Sequence, residues 1–158
     1  PVYIAPLGPK ADAAMDAAWS RVTGGEDAEP TQIQMKGRHI DVPLACGKAG
    51  RFTFASLCEV PLGASDYLAI AHRFDTVFLD GIPRMAPEKR NETKRFIILI
   101  DTLYDNQVRL FASAEVMPED LLTERRGTEG FEFDRTVSRL FEMRSADYLE
   151  LHRTKRGN

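Results

Sequence analysis

The stretch from Thr76 to Ala114 constrains the fold more than any other part of the sequence. Val77, Phe78 and Leu79 form a short continuous apolar run, the mark of a strand covered on both faces. Gly81 and Pro83 are expected to stop it. From Lys94 to Asp105, the residues Phe96, Ile97, Leu99, Ile100, Leu103 and Tyr104 make more than one face apolar. That predicts a deeply packed helix, starting between Pro87 and Asn91 and ending at Asn106 as a left-handed stop. Val108, Leu110, Ala112 and Ala114 then alternate with Arg109, Phe111 and Ser113, as the next strand would. Two strands joined through a helix by short links form a parallel, right-handed crossover.

The flanks add to this unit. Pro1 to Pro9 reads as an extended lead-in, and Ala14, Met15, Ala18, Trp19 and Val22 give the following helix one apolar face. Ile33 and Met35, then Ile40 and Val42, alternate around Lys36-Gly37 as a hairpin, and Arg51 to Phe54 reads as another short strand. Ser65 is expected to cap a helix that buries Tyr67, Ile70, Ala71 and Phe74. Pro118 to Leu122 reads as one helical turn. Arg125 to Gly130 reads as a polar loop, the segment expected to be least ordered. Asp134 is expected to cap a helix burying Val137, Leu140 and Phe141, and a last short helix should start near Ser145 and carry Tyr148 and Leu149. The fold class is α/β: one domain over residues 1–158, with a mixed, mostly parallel sheet flanked by helices.

The composition, 43% hydrophobic and 28% charged in 158 residues, is that of an ordinary globular domain able to bury a core without staples. A net charge of −3 gives no basis for a nucleic-acid partner. The basic tail His152 to Arg156 reads as a solvated end. Cys46 and Cys58 lack Cys-x-x-Cys spacing and are expected as reduced thiols of a cytoplasmic-type protein. No apolar run approaches the ~20 residues of a membrane span, and no signal peptide is visible. An opening on Pro1 suits a segment of a longer protein, and a trimmed initiator Met would look the same.

Chemistry-bearing motifs are few. Gly47-Lys48 is followed by Ala49 instead of Ser or Thr, and Val42 sits where the first glycine of a phosphate-cradling loop belongs. Val77 to Asp80 imitates the apolar strand that ends in a metal-linked carboxylate, but Gly81 follows instead of a second acid. A strand-ending acid before a turn accounts for it. His39, His72 and His152 are isolated, so no metal site is expected. Asp101 and Asp105, one turn apart, read as solvated helix charges. Arg135 and Arg139 share a stripe with Ser138 and Glu142, opposite the apolar face. They could clamp a phosphate or a partner's carboxylate, or pair with local acids. Lys94-Arg95 at a helix start runs against the macrodipole, so something else should demand a cation there.

Four stretches carry a resemblance over nearly the whole chain: Val2 to Gly8 with Ala11 to Trp19, Leu57 to Leu68, Lys94 to Asp105, and Phe133 to Met143. In this order they resemble the C-terminal part of the AFG-like (ZapE-type) P-loop ATPases. The resemblance implies an AAA-like core upstream of Pro1, binding ATP and Mg²⁺ in the intact protein, with cell division or protein quality control as the setting. It implies that this chain alone is inactive and binds no cofactor. It also implies that Arg95, Arg135 and Arg139 match motif positions from which a lid-like region could reach nucleotide. The expected function is that of the C-terminal α/β domain of such an ATPase, coupling ATP turnover to action on a protein partner. Its partners would be the upstream P-loop core and that protein, with homo-oligomer formation open to it, in the cytoplasm or peripheral at the inner membrane. The alternative is a stand-alone protein-interaction domain without nucleotide binding. An independent enzyme finds no supporting constellation.

Overall fold

A computed structural model of the chain describes residues 3–124 and 127–144. Their order is β1 (Tyr3–Ile4), α1 (Pro9–Thr23), β2 (Glu29–Met35), β3 (Arg38–Cys46), β4 (Ala49–Thr53), α2 (Phe54–Cys58), α3 (Ala64–Arg73), β5 (Thr76–Ile82), α4 (Arg90–Asp105), β6 (Arg109–Ala114) and α5 (Gly127–Met143). Single 3-10 turns stand at Pro87–Lys89 and Pro118–Asp120. The six strands form one sheet in the order β1-β6-β5-β4-β3-β2. The pairs β1–β6, β6–β5 and β5–β4 are parallel, whereas β4–β3 and β3–β2 are antiparallel. This is the expected mixed, mostly parallel α/β sheet, with β5-α4-β6 as its central crossover.

The two faces of the sheet are covered unequally. Val77 and Leu79 of β5 and Leu110 and Ala112 of β6 point into the larger core, where α2, α3, α4 and α5 bring Leu57, Tyr67, Ile70, Phe96, Ile100 and Leu140. The alternate residues Phe78 and Phe111 point the other way, to Met15, Ala18 and Trp19 of α1. Strand alternation therefore feeds both layers, as the continuous apolar run at 77–79 requires. In β3 the pattern switches faces. Ile40 and Val42 join the larger core, whereas Leu44 and Cys46 pack with the α1 layer. The pairing shifts between Glu29–Ala45 and Thr31–Val42, so an extra β3 residue makes a bulge, and a bulge flips the alternation beyond it.

Several local expectations are corrected. Ser65 is not the cap of α3; the helix starts after Gly63, whose N–H donates to Asp66 Oδ2 at 2.8 Å. A carboxylate at N3 reaching back in this way satisfies an orphan donor from inside the helix. Asp66 is buried and also accepts from Arg38 Nη2 at 2.5 Å, tying the hairpin to α3. Phe54 does not extend β4. Thr53 and Ser56 form a capping box that turns the chain into α2, a helix the alternating pattern concealed. Gly81 does not end β5; with φ 79° it bends a strand that runs on to Ile82. The left-handed residue after α4 is Gln107 rather than Asn106. Asp134 lies inside α5, which begins at Gly127 and so takes up most of the segment read as a loop. The short helix expected near Ser145, with Tyr148 and Leu149, and the basic tail lie outside the described residues.

Candidate functional site

Because β4, β5 and β6 are parallel, their carboxyl ends meet on one side of the sheet, the side where open α/β sheets keep their ligands. Thr53, Asp80, Gly81 and Ser113 end there, and the first turn of α1 (Gly8, Asp12) and the start of α2 (Phe54, Ala55) close a crevice of about 390 Å³. The Gly81 N–H donates to Ser113 Oγ at 3.0 Å, which locks the bend in β5 to β6. Asp80 accepts from Arg51 through both oxygens, at 2.7 and 3.1 Å. The same guanidinium reaches Asp16 of α1 at 2.9 Å. Burial alone would lower the Arg51 pKa; the Asp80 hydrogen bonds, then Asp16, outweigh it and raise the value. Asp80 is thus a structural acid, and the triad Asp16–Arg51–Asp80 staples α1 to the sheet. No spacing along the chain points to it, because Arg51 reads as a polar position of a short strand and its partners lie far away.

The crevice offers little to a phosphate group. Pro9 removes an N–H from the first turn of α1, and the rim carries Asp12 and Glu59 beside Asp80, all repelling phosphate. Gly47-Lys48 forms the β3–β4 turn, and no group of three metal-ligating side chains occurs among the described residues. Cys58, a buried thiol, has its pKa raised chiefly by burial and is held away from nucleophilic chemistry.

The three arginines singled out by the motifs fall at two places. Arg95, on α4, donates to the Cys58 carbonyl at 3.1 Å. Because α4 starts at Arg90, Arg95 stands in its second turn, beyond the reach of the macrodipole, and what it serves is an orphan carbonyl at the end of α2. Arg135 and Arg139, on α5, converge on Asp101 of α4. Arg139 hydrogen-bonds Asp101 Oδ1, and Arg135 Nη2 stands 3.7 Å from Oδ2. The Arg139 guanidinium also lies over the Tyr104 ring at 5.2 Å, and the Tyr104 hydroxyl donates to Glu142 at 2.6 Å. Asp101 is therefore no solvated helix charge but the acid that joins α5 to α4. Arg135, with 57% of its side chain exposed, is the looser of the pair. Asp101→Asn is expected to cost about 1–2 kcal/mol, below the range for a fully buried pair because both partners keep some solvent contact. A lower urea midpoint at unchanged slope would show it.

A second cleft, about 370 Å³, lies between the starts of α4 and α5 and is lined by Ala86, Pro87, Arg90, Thr93, Leu122, Glu124 and Gly127. No helix among the described residues is long and apolar enough to cross a membrane.

The sequence matches the family model described as "AFG1-like ATPase" over residues 1–152. It is 32% identical over 149 residues to "Cell division protein ZapE" of Escherichia coli (strain K12), covering 94% of this chain and 39% of that protein. It is 30% identical over 172 residues to "Lactation elevated protein 1 homolog B" of Danio rerio, covering 89% of this chain and 34% of the relative. The chain thus spans well under half the length of these relatives. No solved structure matches it.

Proposed function

The chain belongs to the AFG1-like ATPase family, and we propose that it is the C-terminal α/β domain of such an ATPase, coupling ATP binding and hydrolysis by an upstream P-loop core to action on a protein partner. The observation that carries this reading is the match over residues 1–152, joined to a strand-end crevice that is acid-rimmed and unsuited to phosphate. Nucleotide chemistry then belongs to the part of the longer protein outside this chain. The similarity to a cell division protein favours a division-linked setting; with it goes the proposal of a place in the cytoplasm, or peripheral at the inner membrane through partners. Within the domain, Arg95, Arg135 and Arg139 remain the candidates for contacting nucleotide held by the core. Arg135 is the best placed, since it is half-exposed and only loosely held by Asp101.

The second reading is a stand-alone interaction domain that never meets ATP. It is favoured by the engagement of Arg95 and Arg139 in contacts within the domain. Calorimetric titration of Mg-ATP into this chain and into the longer protein carrying a P-loop core separates the two. Binding and turnover in the longer protein alone are expected, with turnover falling about a thousandfold or more on Arg135→Ala, the scale of a lost transition-state arginine. Turnover unchanged in that variant would remove Arg135 from the site. ATP binding by the isolated chain would overturn the reading.

A further inference from the structure

β2 is an edge strand, and its sequence Thr31-Gln-Ile-Gln-Met35 is nearly symmetric about Ile33. The two-residue turn at Lys36-Gly37 makes Met35–Arg38 the closing hydrogen-bonded pair of the hairpin. Alternation along the ladder then makes Ile33–Ile40 and Thr31–Val42 the next hydrogen-bonded pairs. The backbone N–H and C=O groups of Gln32 and Gln34 consequently point away from β3, into open space at the sheet edge. Edges of this kind are usually guarded by charges, prolines or bulges. Here Pro30 and Lys36 flank the segment, the bulge lies beyond it, and residues 31–35 carry no charge.

We propose that this edge pairs with the β2 edge of a second copy of the chain, antiparallel and centred on Ile33, to make one continuous sheet across a two-fold axis. The occupant follows from the near-palindrome. In that register Gln32 meets the partner's Gln34 and Gln34 the partner's Gln32, each pair exchanging two backbone hydrogen bonds. Ile33 meets the partner's Ile33 at the axis, and Thr31 meets the partner's Met35 on the face that packs toward α3. Pro30, which has no N–H, falls opposite the partner's Lys36 beyond the bonded pairs. Glutamines already interlink along the polar face, Gln34 Nε2 to Gln32 Oε1 at 3.4 Å and Gln32 Nε2 to Asp41 Oδ1 at 3.2 Å, so the pairing extends an existing amide ladder. A two-fold contact of this type is self-complementary and closed, so it stops at the dimer.

The test uses sedimentation equilibrium on the chain and two double variants over ~1–500 µM, the range in which small interfaces associate. The chain itself is expected to pass with concentration from 17.8 kDa towards twice that mass. Gln32→Lys with Gln34→Lys sets like charges opposite in both central pairs and should weaken dimerisation at least about tenfold. Gln32→Lys with Gln34→Glu sets opposite charges there and should hold the dissociation constant within about threefold of the parent. Both positions are exposed, so circular dichroism melts should be unchanged. Amide exchange at Gln32 and Gln34 should slow as concentration rises, while that of Ile33 should not depend on concentration. A monomer throughout the range overturns the proposal, as do equal shifts in both variants or a dimer that leaves the two amides unprotected.

Discussion

Phe78→Ala is expected to destabilise the domain by about 3–5 kcal/mol, the scale for truncating a buried aromatic side chain. Phe78 is fully buried and is the centre of the smaller core. Its ring stacks on Phe111 at 4.5 Å with an interplanar angle of 4°, and meets Trp19 edge-on at 5.0 Å. Removing it leaves a void that α1 on one side and a hydrogen-bonded sheet on the other cannot collapse into. It also unseats Trp19, the largest side chain by which α1 grips the sheet. A urea titration should show the loss as a lower midpoint, and Trp19 fluorescence should shift to the red in the folded state. A loss under about 1 kcal/mol would mean that α1 contributes little to the native state, contrary to the packing described.

Gly50→Ala should have the second large effect, through overpacking rather than a cavity. Gly50 lies mid-strand in β4, paired with Val77 on one side and Ala45 on the other, without a positive φ, so its need is for space. A methyl group there would come within 2.7 Å of the Phe74 ring edge. Phe74 cannot swing away, since it is buried and packs edge-on against Phe52 at 6.0 Å. The expected cost is about 1–3 kcal/mol, as for a methyl forced into a filled core. Phe74→Leu should relieve it: the double variant should be more stable than the sum of the single changes by about 1 kcal/mol, within the range for residues in contact. Strict additivity in thermal unfolding would show that some other clash sets the cost.

How much of this was legible in the sequence differs by type of signal. The crossover from Thr76 to Ala114 could be read because its periodicities are long and belong to the backbone itself. The start of α4 was likewise marked, by Pro87 ahead of the apolar stripe. Short-range signals misled where a tertiary partner decided the outcome. Ser65 is a better intrinsic cap than Gly63, yet Asp66, held by Arg38 from the hairpin, takes the capping role from N3. Asp134 is a good cap by type, but α5 had already begun. The sites were least legible. Arg95, Arg135 and Arg139 were visible as motif positions, while their partners Cys58 and Asp101, like the Asp16–Arg51–Asp80 staple, exist only after folding brings distant segments together. Charge pairs of that kind have no sequence spacing to read.

The unequal covering of the sheet has a consequence for how the native state opens. One face is sealed by four helices, the other by α1 alone, which is tethered by the two residues of β1 before it and by Gly24-Gly25 after it. Detaching α1 would sever Met15, Ala18 and Trp19 from Phe78 and Phe111 without disturbing the β4–β5–β6 ladder or the larger core. The domain therefore has a natural seam for sub-global opening, with α1 as the first cooperative unit to exchange its amides with solvent. Through that seam the stacked phenylalanines become transiently visible to chaperones and proteases while the remainder stays folded.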